Sequence, residues 1–128
     1  MNVNMTTHTS DQIISTLFTG VLYVAEHTGD PGKTGVNEVT VGQDANYVRK
    51  SATFVKSADG LIFQAKNQAD VSFPAAAAGA NYSVTHISVW TAVSGGNCRS
   101  VLPLAAVIPV VAGTINTYAM NDIVIKGE

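Results

Sequence analysis

An all-β fold of the β-sandwich or jelly-roll kind, with seven to eight strands and one short N-terminal helix, is what this sequence predicts. Three observations predict it: short β-branched and aromatic runs recur at regular spacing, Gly/Asn/Asp/Pro clusters separate them, and only one segment has the apolar period of a helix. The chain has 128 residues, 46 % of them hydrophobic, which is enough for one buried core and too little for two. The expected organisation is an N-terminal arm over residues 1–9 and a single β-sandwich domain over residues 10–128.

Met1 to Thr9 is polar and threonine-rich with no apolar period, which reads as a loose arm. Ser10 or Asp11 is placed to cap a short helix whose apolar face is Ile13, Ile14, Leu17 and Phe18, with Gly20 ending it. A first strand runs from Val21 to Thr28, and the dense turn signal Gly29-Asp30-Pro31-Gly32-Lys33-Thr34-Gly35 makes a long surface loop after it. Tyr47 to Lys56 alternates around Ala52 and Phe54, and with Leu61-Ile62-Phe63 beyond the turn Ala58-Asp59-Gly60 it forms a hairpin. Val71 and Phe73 mark a short strand that ends at Pro74. The alanine run Ala75 to Ala78 has helical propensity but reads as a linker between strands. Ser83 to Trp90 is a strand closed by Ser94-Gly95-Gly96-Asn97. Cys98 to Val111 and Ile115 to Ile125 are the last β-branched segments, and Pro103 and Pro109 confine their surroundings to an edge or a bend. Tyr23, Phe54, Phe73, Ile87, Val89 and Trp90 are the expected core.

Charged residues make up only 12 % of the chain and the net charge is −2, so neutral polar groups or partner subunits are expected to cover much of the surface, a hint of oligomerisation. The basic residues Lys33, Arg49, Lys50, Lys56, Lys66, Arg99 and Lys126 are scattered, which argues against nucleic acid as a partner. The apolar stretch Ile13 to Ala25 is too short and too broken to cross a membrane, and no basic segment precedes it as a secretory signal requires. Cys98 alone forms no intrachain disulfide and reads as a small buried hydrophobe.

Candidate chemistry fails on spacing. Gly32-Lys33-Thr34 resembles the end of a phosphate-binding loop, but His27 stands where its first glycine belongs and no amphipathic helix follows. His27, Asp30, Glu38 and His86 have the side chains of a metal or general-base site, yet neither histidine belongs to a ligand pair, and a hydrogen-bonded strand histidine explains each more simply. Trp90, Tyr23, Tyr47, Tyr82 and Tyr118 at strand spacing read as core or interface rather than a sugar-stacking face. No catalytic residue, cofactor or metal is expected, and the chain is not expected to be an enzyme.

Leu22-Tyr23-Val24-Ala25-Glu26-His27-Thr28-Gly29-Asp30-Pro31-Gly32, followed by Thr34-Gly35 and Asn37-Glu38-Val39, resembles the opening motif of a family of small bacteriophage virion proteins labelled tail-fibre-like. The resemblance continues through Tyr47-Val48-Arg49-Lys50 with Ala52-Thr53-Phe54, through Ala69-Asp70-Val71-Ser72-Phe73-Pro74, and through Val84-Thr85-His86-Ile87 with Trp90 to Gly95-Gly96-Asn97. Asn81-Tyr82-Ser83 departs from the family's tryptophan-glycine pair, and the residues from Arg99 on agree only in β character. The resemblance implies a β-sandwich virion component with no catalytic residues to carry over.

The expected function is a virion structural protein, assembled in the cytoplasm of the bacterial host. The first reading is a capsid decoration, or cement, protein that stabilises the assembled head lattice. The alternative is a tail-fibre or tail-tip component that binds a host-surface receptor. Expected partners are the major capsid protein or other virion proteins and copies of the chain itself, as a homotrimer; neither nucleic acid nor membrane is among them. The residues expected to touch partners are Met1, Asn2, Val3, Asn4 and Met5 in the arm and Gly29, Asp30, Pro31, Gly32 and Lys33 in the long loop.

Overall fold

The structure, a computed structural model, describes residues 5–128. Its elements are α1 (Thr7–Leu17), β1 (Gly20–His27), β2 (Lys50–Asp59), β3 (Ile62–Asn67), β4 (Val71–Ser72), β5 (Asn81–Trp90), β6 (Cys98–Val111), β7 (Thr117–Tyr118) and β8 (Val124–Lys126). The fold is all-β with one short helix, as the alternating runs predict. Six strands form one sheet in the order β6-β5-β1-β2-β3-β8, and β4 pairs with β7 in a second. The chain divides into two compact units. One comprises the residues up to Leu22 with Ala52–Val71 and Tyr118–Glu128; the other comprises Tyr23–Ser51 with Ser72–Thr117. Of the expected core residues, Phe54, Phe73, Ile87, Val89 and Trp90 are buried, whereas Tyr23 is half-buried.

In the first unit α1 begins earlier than its apolar period indicates. Thr6 is the cap, its hydroxyl accepting the Thr9 N–H at 3.2 Å, so the last three residues of the expected arm are helical. Ser10, expected as a cap, lies inside the helix and is fully buried, where its hydroxyl accepts the Phe63 N–H at 2.7 Å. The helix closes at Phe18, and Gly20 opens β1 instead of ending α1. Gly127 shows how closely α1 is seated: a Cβ there would lie 2.8 Å from Ser10 Oγ and 3.0 Å from Ile14 Cγ1. The β2–β3 hairpin pairs Asp59 with Ile62 across Gly60-Leu61, where Gly60 takes the positive φ of 62° that a two-residue turn requires. Buried Asn67 holds the C-terminal segment, donating to the carbonyls of Ala69 and Ala119 and accepting from Ile123 N–H, each at 2.9 Å. The expected strand Ile115 to Ile125 is therefore two short ones, β7 and β8, separated by a turn at Asn121 with φ 68°.

In the second unit β5 pairs antiparallel with β1 and with β6. Strand β6 ends the sheet and carries Pro103 and Pro109, which lack the N–H that a central strand must donate. Its register jumps from Val84↔Ile108 to His86↔Pro103, so Leu104–Val107 bulge opposite the single residue Thr85. Ala76, Ala80, Val84 and Val110 form a buried cluster against which Tyr82, Leu104 and Ile108 pack. The alanine run is not helical. Ala76 N–H instead donates to Thr114 O and its carbonyl accepts Gly113 N–H, because tertiary pairing overrides the propensity of so short a run. Tyr47, Val48 and Arg49, expected in a strand, precede β2, and the side chains of Tyr47 and Arg49 go to the network described next.

Candidate functional site

Residues from three of the resembling stretches, Glu26 to Glu38, Tyr47 to Arg49 and Trp90 to Gly95, meet in the second unit in one hydrogen-bonded frame. Arg49 is its centre: Nε and Nη2 donate to the two carboxylate oxygens of Glu38 at 2.9 and 2.8 Å, and Nη1 donates to the carbonyls of Ala92 and Gly95 at 3.0 and 2.8 Å. The guanidinium lies 3.8 Å from the centroid of the Trp90 ring, a cation–π stack. Gly35, with φ 78°, lies against that ring so closely that a Cβ would come within 2.4 Å of it. Tyr47 joins in, its hydroxyl donating to Glu38 at 2.8 Å and accepting the Glu26 N–H at 2.9 Å. Burial pushes the Glu38 carboxyl up, but the bonds from Arg49 and Tyr47 outweigh it and hold the group below the usual carboxylate range. Burial, with the neighbouring carboxylates, raises the Tyr47 phenol, which stays protonated as the donor role requires.

His27 and Ser88 resemble a base and its nucleophile, with Nε2 and Oγ 2.6 Å apart. The bonds around them define a different role. Nδ1 lies 2.9 Å from Val36 O, which only accepts, so Nδ1 holds the imidazole proton and Nε2 accepts from the Ser88 hydroxyl. Ser88 Oγ in turn accepts the Trp90 Nε1–H at 2.6 Å. Both residues are 0 % exposed, so no substrate reaches them, and burial keeps the imidazole neutral by pulling its pKa down. His86 lies outside the pair, with Nδ1 against the Thr85 hydroxyl at 2.8 Å. Asp44 braces the neighbouring loop, accepting the N–H groups of Asn46 and Ala77 and the Tyr82 hydroxyl. Buried Glu26 accepts from Asn116 Nδ2. The cavity that Glu26, Asp44, Tyr82 and Asn116 line, with Tyr47 and Thr114, holds about 10 Å3, room for about one water. Among the described residues no group of three or more His, Cys, Asp or Glu is placed to hold a metal ion.

What the frame displays is a surface. Of the residues expected to touch partners, Met1, Asn2, Val3 and Asn4 lie outside the described residues, and Met5 is half-buried. In the loop Asp30, Gly32 and Lys33 are exposed, Gly29 is half-buried and Pro31 is buried. The structure brings Gly32 and Lys33 together with Cys98, Arg99, Ser100 and Val101 around an open groove of about 250 Å3. A second groove, of about 290 Å3, is lined by Val41, Val48 and Val93 beside the Glu38–Arg49 pair. Cys98 is half-buried rather than enclosed, and burial raises its thiol pKa.

Residues 4–126 match the model of the family Gp80, described as podophage GP4 fiber I protein gp80. The chain belongs to this family. As a Gp80-family chain it is a structural component of a phage virion, which agrees with the virion reading of the sequence. A search of curated proteins returned no match.

Proposed function

We propose that this Gp80-family chain is a fibre component of a bacteriophage virion that contacts a host-surface receptor through exposed loops of its second unit, in a structural and not a catalytic role. The observation that carries the reading is the family match, which spans nearly the whole chain and whose description is of a fibre; it favours the tail-fibre alternative over head decoration. The frame supports it. Arg49, Glu38 and His27 hold the long loop by part-buried hydrogen bonds and Trp90 packs against its Gly35, and a receptor-binding surface needs loops fixed in this way before contact, because ordering them on binding weakens affinity. Self-association, as a homotrimer, and attachment to other virion proteins belong to the same proposal. Support for them is the low charge and the exposed Val41, Leu61 and Ile115, apolar surface suited to burial between subunits.

The test is to image virions assembled with and without the chain and to count copies. A small number confined to the tail, with lost adsorption when the chain is absent, upholds the fibre. Hundreds of copies over the head, with adsorption intact, would overturn it in favour of decoration.

A further inference from the structure

The long loop after β1 is fastened to the sheet through one buried ring. His27, the last residue of β1, donates from Nδ1 to Val36 O of the loop at 2.9 Å and accepts at Nε2 from the Ser88 hydroxyl of β5 at 2.6 Å. Two backbone bonds flank that fastening, Thr28 N–H to Asn37 O and Val39 N–H to Glu26 O, each at 3.0 Å, and they make His27 and Glu38 an isolated β-bridge. Ser88 Oγ also accepts the Trp90 Nε1–H, and the Trp90 ring packs against Gly35 of the loop and stacks with Arg49.

This arrangement suits one protonation state. A second proton would sit on Nε2, so that Nε2–H and the Ser88 O–H would point at each other. The Ser88 hydroxyl would have to turn, accept both Nε2–H and Trp90 Nε1–H, and offer its own proton to the Cys98 thiol of β6, a weak acceptor. The added charge would lie on a residue that is 0 % exposed, with Arg49 repelling it and with His86, its partner in the β1–β5 ladder, repelling it when charged. Glu38 of the loop attracts it, but that carboxylate already accepts from Arg49 and Tyr47. Relief comes from letting the ring reach water, and its partners differ in how readily they give way. Ser88 belongs to β5, which is paired on both sides by β1 and β6, whereas Val36 belongs to a loop and is itself 52 % exposed.

We infer that His27 is an acid-sensitive latch on the long loop, and that protonation of its ring frees residues 29–39 from the sheet while the strands stay paired. The closed loop excludes the proton and the open loop accepts it. The opening equilibrium therefore rises as pH falls below the ordinary imidazole value of 6.5, by at most about tenfold per pH unit, down to the closed-state value that burial has lowered. Glu38 is not the trigger in this range, because its carboxyl is held below the usual carboxylate values and stays ionised. The latch acts on the loop whatever the loop contacts, so it stands apart from the fibre reading.

Hydrogen exchange of the full chain, followed by NMR at about pH 7.5, about 6.5 and about 5.5 and expressed as protection factors, measures the opening. Protection of the Thr28 and Val39 amides should fall by about tenfold between the highest and lowest of these pH values, while amides of the β2–β3 ladder keep theirs. His27→Gln, with no ring to protonate, should show the same protection at all three. His86→Gln should respond as the unaltered chain does. The chain has three histidines, and His8 lies in α1 of the first unit, so if His27→Gln fails to fold, an unchanged response in His86→Gln still assigns the opening to His27. Constant protection of Thr28 and Val39, an equal loss in a folded His27→Gln, a loss that disappears in His86→Gln, or a loss shared by the β2–β3 ladder overturns the inference.

Discussion

Arg49 is 9 % exposed, and all three of its guanidinium nitrogens donate to named acceptors. Arg49→Ala leaves the half-buried Glu38 carboxylate without its charged partner, the Tyr47 hydroxyl still donating to it, and removes the stack on Trp90. Discounted for the partial exposure of Glu38, the expected loss is about 2–4 kcal/mol, read from the urea midpoint. Gly35→Ala should cost a comparable amount, about 2–4 kcal/mol, because it combines a positive φ with a clash against Trp90. Gly95→Ala, with a positive φ and open space, is the control and should cost about 1–2 kcal/mol. His27 has a folded pKa below the ordinary 6.5, chiefly through burial, while Glu38 opposes the shift and His86 and Arg49 add to it. As pH falls below 6.5 the unfolded chain takes up a proton that the folded chain refuses, so stability falls with pH from 6.5 down towards the folded pKa. The expected outcome is a lower urea midpoint at about pH 5.5 than at about pH 7.5, with a smaller difference in His27→Gln. Equal differences in the two proteins would place the titration elsewhere.

At the scale of elements, α1 is seated by a polar contact as much as by its apolar face. Ser10→Ala leaves the Phe63 N–H without its acceptor and should cost about 1–3 kcal/mol in the same assay. Thr6→Ala removes the cap bond to Thr9 and should cost about 1 kcal/mol. These two residues also explain why the helix was legible in its existence and not in its start. Ile14 and Phe18 announce an apolar face by spacing, whereas Thr6 and Ser10 act through hydrogen bonds that leave no mark on periodicity. The same holds for β1, where the alternation rule sends Glu26 or His27 outward although both are buried against polar partners. Lys33 was legible as a surface residue of a turn-rich loop. Arg99 and Ser100 were not, because nothing local shows that the start of β6 forms the other wall of its groove.

For the whole molecule, the all-β class was legible because turn residues punctuate the chain at strand-length intervals. The order of strands was not, because β1 finds β5 far along the chain by partners that only the fold brings together. Trp90→Ala tests how far the second unit depends on its frame: loss of the buried indole, its bond to Ser88 and its stack on Arg49 should cost about 3–5 kcal/mol. A loss below about 1 kcal/mol would show that Arg49 and Ser88 find other partners. The two prolines and the bulge of β6 matter on a longer view. An open sheet edge invites copies of one chain to zip into fibrils wherever they meet. Pro103 and Pro109 offer no N–H to an incoming strand, and Leu104–Val107 break the straight line along which one would lie. The edge of the sheet thus carries its own safeguard against premature polymerisation, leaving assembly to the surfaces that the virion selects.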